Sequence, residues 1–125
     1  VRELNTHRVE GSKTDKLVQV YALDKPGDGG ASHVYDVEVR DWAGRETYGV
    51  TLRFQQGPVG DAGLNGITNE ALLAVVEDRL VGFQSGLFAC KENMGALKHV
   101  RTALMCLKER TEARMDRGVE GTHTP

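Results

Sequence analysis

Phe83 stands in a tight Gly82-Phe83-Gln84-Ser85-Gly86 bend, and Asn93, Arg110 and Arg114 follow at intervals that suit one long helix. An aromatic ring, an amide and two guanidiniums can together hold a nucleotide. The ring stacks on a base, the amide reads a hydroxyl or a base edge, and the guanidiniums take phosphate oxygens in two-pronged geometry. Gln84, beside the ring, and Arg117, one turn beyond Arg114, join the candidate set. No acid, base or nucleophile accompanies these residues at a recognisable catalytic spacing. The residue types describe a grip on a phosphorylated ligand rather than machinery for cutting it.

Each side chain also has a plainer reading. Phe83 can plug the core of a helical hairpin. Asn93 falls within an apolar stripe, between Cys90 and Leu97, and can satisfy its amide on nearby backbone. Arg110, Arg114 and Arg117 cluster roughly 95° from the centre of that stripe and can pair with Glu109 and Glu112 on a solvated face. The residues alone leave both readings open.

Gly57, Gly60, Gly63 and Gly66 precede a helix start, a place where phosphates often bind. The run matches neither the P-loop nor the dinucleotide fingerprint, and no Lys-Ser or Lys-Thr follows it, so a backbone turn is the first reading and an anion cradle the second. His7, His33, His99 and His123 are scattered and no paired-cysteine motif exists, so neither metal, cofactor nor covalent nucleophile is expected.

The elements that must position these residues are legible from periodicity. Leu17, Val18, Val20, Tyr21 and Leu23 alternate, as do Val34, Tyr35, Val37 and Val39, and then Tyr48, Val50, Leu52 and Phe54. These predict three strands of an antiparallel meander over residues 17–56, joined by Lys25–Gly30 and Asp41–Arg45. One face of that sheet needs a cover. Residues 1–12 are polar and aperiodic and are expected to be flexible.

Thr68-Asn69-Glu70 is an N-cap with an acidic first turn, and Leu72, Leu73, Val75, Val76, Leu80 and Phe83 return at helical spacing after it. A second helix, about Ala89 to Arg117, carries the stripe Cys90, Asn93, Leu97, Val100, Leu104, Leu107, Thr111, Met115. At 1.5 Å per residue it reaches roughly 40 Å, which overshoots a small domain and points to packing on a second copy. The expectation is an α+β fold: one domain of 125 residues, with a sheet followed by a helical hairpin at 67–118.

Charge narrows the partners. A net charge of -2 and a pI near 6.1 argue against a nucleic-acid polymer. Between Lys91 and Arg117, however, seven Lys or Arg face four Asp or Glu, a surplus that suits a small anion. Cys90 and Cys106, about 24 Å apart on one helix, cannot bridge within the chain. With no signal peptide, disulfide framework or membrane-length apolar run, the expected compartment is a reducing cytoplasm.

The stretch from about Phe54 to Thr124 contains Phe-Gln-Gln-Gly-Pro, Gly-Leu-Asn-Gly-Ile-Thr-Asn-Glu-Ala-Leu-Leu, Gly-Phe-Gln-Ser-Gly, Lys-Glu-Asn and Arg-Gly-Val-Glu-Gly-Thr. It resembles the phage anti-Thoeris proteins of the first type. The resemblance implies a cytoplasmic sponge that binds glycocyclic ADP-ribose, in some members also cyclic di- and trinucleotides, without degrading it. It further implies a pocket at a dimer interface and, in some members, hexamers. Phe83 would be the stacking ring, Asn93 the polar contact, and Arg110 with Arg114 the phosphate pair. Arg53 is the candidate for an arginine that the family supplies from its strand region. Two alternatives from other classes are a nucleotide-hydrolysing enzyme using Glu92 or Glu120 as base, and an adaptor hairpin with no small ligand.

Overall fold

The computed structural model describes all residues from Val1 to Pro125. The chain divides into two compact units, one of Val1–Gly57 with Leu64–Gly66, the other of Pro58–Gly63 with Ile67–Pro125.

The first unit is a four-stranded antiparallel meander: β1 (Arg2–Leu4), β2 (Val18–Ala22), β3 (Val34–Arg40) and β4 (Glu46–Arg53), adjacent in chain order. The register sets Val18, Val39 and Tyr48 in one row, Val20, Val37 and Val50 in the next, and Ala22, Tyr35 and Leu52 in the third. Because side chains alternate along a strand, these rows form one apolar face. Asp36, Glu38 and Arg40 fall on the other. There Thr51 Oγ1 donates to Asp36 at 2.7 Å and Arg40 Nη2 to Glu38 at 3.0 Å.

β1 is a fourth strand beyond the three that alternation predicts, and it comes from the segment expected to be flexible. At three residues it is too short to show a period. Its place is fixed by Leu4 pairing with Val20, by His7 Nε2 donating to the Val18 carbonyl at 2.8 Å, and by an Arg8–Glu3 ion pair at 3.0 Å.

Both predicted turns are present. In the second, the Asp41 carboxylate accepts from the Ala43 and Arg45 amides, and Gly44 supplies the positive φ of 81°. A bulge at Val39/Arg40 lies beside it. In the first, the 3-10 turn Asp28–Gly30 is succeeded by His33 and Val34, whose amides both donate to Asp24.

Within the glycine-rich run, Val59–Ala62 is one turn of helix and the residues on either side of it are irregular. Asn65 and Gln56 exchange a reciprocal pair, Gln56 N to Asn65 Oδ1 at 2.8 Å and Asn65 Nδ2 to Gln56 O at 2.7 Å. Gly66 presses on the Phe54–Gln55 peptide so closely that a Cβ there would lie 2.3 Å from the Phe54 carbonyl carbon.

The second unit holds a short helix α1 (Val59–Ala62) and the hairpin of α2 (Asn69–Gln84) and α3 (Lys91–Asp116). Thr68 caps α2 by accepting from the Ala71 amide at 3.1 Å, as its sequence position predicts. Leu97 and Leu104 of α3 are buried, and Arg101 reaches Glu77 across the hairpin at 3.2 Å. In two places the structure differs from the expected stripes. Val75 and Val76, in the middle of α2, are exposed. At the end of α3, Met115 is 58% exposed and Arg114 is half-buried instead. For the second, the reason is length. α3 has ten more residues than α2, so its last turns run past the partner helix, and the chain after α3 folds back to cover Arg114 instead.

Candidate functional site

The hairpin carries two separate groups of candidate residues. The first is at its tip. Phe83 lies in the last turn of α2, 42% exposed, so it does not plug the hairpin core, and the Arg79 guanidinium lies over its ring at 5.6 Å. Gln84, next to it, closes the hairpin: its Nε2 donates to the Cys90 carbonyl at 3.1 Å and its Oε1 accepts from the Cys90 amide at 3.0 Å. Both ends of that amide are used on backbone. The Cys90 sulfur in turn caps α3, accepting from the Asn93 amide at 3.4 Å.

Asn93 is half-buried, and its Nδ2 donates to the Phe88 carbonyl at 3.3 Å. That bond fixes the amide's orientation, and it leaves the acceptor Oδ1 to read a donor such as a ribose hydroxyl. The connecting segment is strongly apolar at the surface: Leu87 is fully exposed and Phe88 is 75% exposed.

The second group is at the far end of α3. Arg110 is exposed, and Arg114, one turn on, lies half-buried. Arg114 Nη1 donates to the Thr124 carbonyl at 2.7 Å, and Nη2 donates to those of Val119 and Thr122 at 3.0 and 3.2 Å. Arg117 Nη2 donates to the Pro125 carbonyl at 2.7 Å. No glutamate pairs with these three arginines, so the expected partners Glu109 and Glu112 are not used; Arg110 and Arg117 are exposed and Arg114 is half-buried.

Asn93 and Arg110 are seventeen positions apart on one continuous α-helix, hence about 25 Å along its axis. No small cyclic nucleotide reaches from one to the other. Between them lie two shallow grooves of about 350 and 420 Å³, lined by residues such as Glu77, Arg101, Met105 and Leu97, and neither includes a candidate residue. Arg53 belongs to the sheet unit, where it ends β4 opposite Val34 with an exposed side chain.

Two features of the hairpin lie outside the residues singled out from the sequence. Arg79 has a signal that could have found it, an arginine four residues before the ring on the same helical face. The docking of residues 119–124 onto Arg114 has none, because its acceptors are main-chain carbonyls and carry no side-chain signature.

Comparison with known proteins bears on the same elements. A curated relative, "Thoeris anti-defense 1" from Bacillus phage SBSphiJ7, is 47% identical over 97 residues, which are 78% of this chain and 65% of the relative. The aligned region thus spans just under two thirds of that protein's length. Residues 50–112, from within β4 through the glycine-rich run and α2 to most of α3, match the family described as Acb2/Tad1, hairpin domain. With just over half of its length matched, the chain belongs to the Acb2/Tad1 hairpin-domain family.

Proposed function

We propose that this chain is a phage anti-defence protein that captures a cyclic nucleotide immune signal in the cytoplasm of the infected bacterium and withholds it without cleaving it. Glycocyclic ADP-ribose is the first ligand to test and cyclic dinucleotides are the second. The name of the curated phage relative and the family membership support the anti-defence role.

One observation carries the reading of the site. The stacking ring and the amide are at one end of the hairpin, and the guanidiniums are about 25 Å away at the other. A pocket containing both must draw them from two copies of the chain, with Phe83 and Asn93 of one protomer facing Arg110 and Arg114 of the next. In a two-fold pair such a contact occurs twice, giving two equal pockets. The exposed Leu87 and Phe88 at the tip supply apolar surface for that contact.

Sequestration suits these groups chemically. Guanidinium–phosphate bonds are charge-assisted and ring stacking adds affinity, while none of the four side chains is a nucleophile or a general base at neutral pH. Residence time is the property a sponge needs, and burial of a charged ligand between subunits slows its release.

Isothermal titration with glycocyclic ADP-ribose, followed by heat denaturation and identification of the released molecule, tests the proposal. Tight binding with the ligand returned intact is the expected result. Return of an altered ligand would favour the hydrolytic alternative, and absence of heat with this ligand and with cyclic dinucleotides would favour the adaptor.

A further inference from the structure

The Arg114 guanidinium has five N–H donors, and the chain following α3 takes three of them. Both Nη2 protons are committed, to the Val119 and Thr122 carbonyls. One Nη1 proton is committed to Thr124. An arginine offers two parallel pairs of donors, Nε with Nη2 along its side and Nη1 with Nη2 across its end, and every two-pronged contact uses Nη2. With residues 119–124 docked, Arg114 therefore has no pair of donors free for a phosphate.

We infer that residues 119–124 form a strap that competes with phosphate for Arg114, so that capture of a phosphorylated ligand is coupled to release of the strap. This rests on the reading of Arg114 as a phosphate contact. The competition is one an anion can win. The guanidinium charge assists both kinds of bond, but a phosphate adds its own negative charge and meets the fork with two parallel oxygens, whereas the strap offers only neutral carbonyls. Two of the three carbonyl contacts are solvent-exposed, so water replaces arginine there when the strap leaves.

The strap is an organised element and not a chance contact. Gly118 and Gly121 have φ of 69° and 73°, Thr122 Oγ1 donates to the Val119 carbonyl, and the Gly60 amide at α1 donates to the Gly121 carbonyl at 3.1 Å. Releasing it also frees that end of α1. A pocket whose competent state exists only while the strap is undocked has its apparent affinity lowered by the undocked fraction.

Hydrogen exchange on the full chain, with inorganic pyrophosphate as probe, separates the possibilities. Saturating pyrophosphate is expected to speed exchange of the Gly60 and Thr122 amides while the interior of α2 and α3 is unchanged. Ordinary binding would slow them. Arg114→Gln without any anion is expected to speed the same amides at least about tenfold, since even one of its three bonds to the strap is worth roughly that factor. Gly121→Val places a β-branched residue in the left-handed region and so loosens the strap; it is expected to tighten pyrophosphate binding by about three- to tenfold.

Pyrophosphate that fails to bind, or binds with those amides slowed or unchanged, overturns the inference, as does a Gly121→Val protein with parental affinity. If glycocyclic ADP-ribose does not bind but pyrophosphate still releases the strap, the strap stands and the proposed ligand falls. If the cyclic nucleotide binds with the strap still protected, the strap falls and the sponge stands.

Discussion

The Arg79 guanidinium carbon lies 5.6 Å from the centre of the Phe83 ring, one helical turn behind it on α2. The cation occupies one face of the ring and holds it in place by electrostatic attraction to the π-system. The other face is what a nucleobase would stack on. Because Phe83 is half-open to solvent and the ring is oriented before any ligand arrives, little rotamer freedom remains to be lost on stacking.

Two substitutions separate the ring from its support. Phe83→Ala should weaken capture of a base-containing ligand about ten- to a hundredfold, because a base–aromatic stack is worth roughly 1 to 3 kcal/mol. Arg79→Gln should weaken it only about two- to fivefold, in keeping with roughly 0.5 to 1 kcal/mol for an exposed cation–π contact, and Arg79→Lys should recover part of that loss. Titration calorimetry of the three variants decides; equal losses for Arg79→Gln and Arg79→Lys would mean that ring support is not the role of Arg79.

A pocket shared between protomers predicts complementation. Phe83→Ala and Arg110→Ala should each cripple capture in a pure preparation, yet a co-expressed mixture should regain it. A mixed pair contains one pocket with both defects and one with neither, so with random pairing roughly a quarter of all pockets are intact. Ligand stoichiometry of the mixture measures that fraction. A mixture as inactive as its components would place the ring and the guanidinium in separate functions.

Much of the architecture is legible because it rests on periodicity and turn chemistry. Val37, Val39, Val50 and Leu52 alternate, Thr68 caps α2, and Leu97 and Leu104 follow helical spacing, so strands and helices appear in the sequence where they appear in space. β1 is hidden because three residues carry no period. At the site, side-chain types are legible and their commitments are not. Gln84 reads as a ligand contact, but both ends of its amide are consumed in closing the hairpin. Arg114 reads as a free cation, but its partners are carbonyls of whichever residues lie beside it, a property of backbone path and not of residue type.

The sheet unit should lose stability in acid for an identifiable reason. Asp24 has a carboxyl held below its ordinary value of 3.8, first by the Val34 amide and then by that of His33. A carboxylate with a lower value folded than unfolded contributes its full stabilisation above the unfolded value and loses it as pH falls through the folded one. Unfolding midpoints should therefore be flat down to about pH 5 and drop below about pH 4, where the unfolded chain begins to take up protons. Asp24→Asn should be less stable than the parent at pH 7, with the difference narrowing towards about pH 3. A constant difference across that range would locate the effect in something other than ionisation.

Two glycines should respond to alanine with opposite sign. At Gly66 the added methyl would sit 2.3 Å from the Phe54 carbonyl carbon and 2.6 Å from the Gln55 nitrogen, both main-chain atoms that can move only with the turn. Gly66→Ala should cost about 2 kcal/mol or more, the scale of overpacking that forces backbone shifts. Gly82, in the last turns of α2 with nothing within 4 Å of an added methyl and no positive φ, gains helix propensity instead. Gly82→Ala should stabilise by about 0.5 to 1 kcal/mol, chiefly by restricting the unfolded chain. Urea unfolding reads both as midpoint shifts at constant slope. Because Gly82 directly precedes Phe83 at the tip, a Gly82→Ala protein that is destabilised only at concentrations where the chain self-associates would show that the open space beside Gly82 is filled by the second copy.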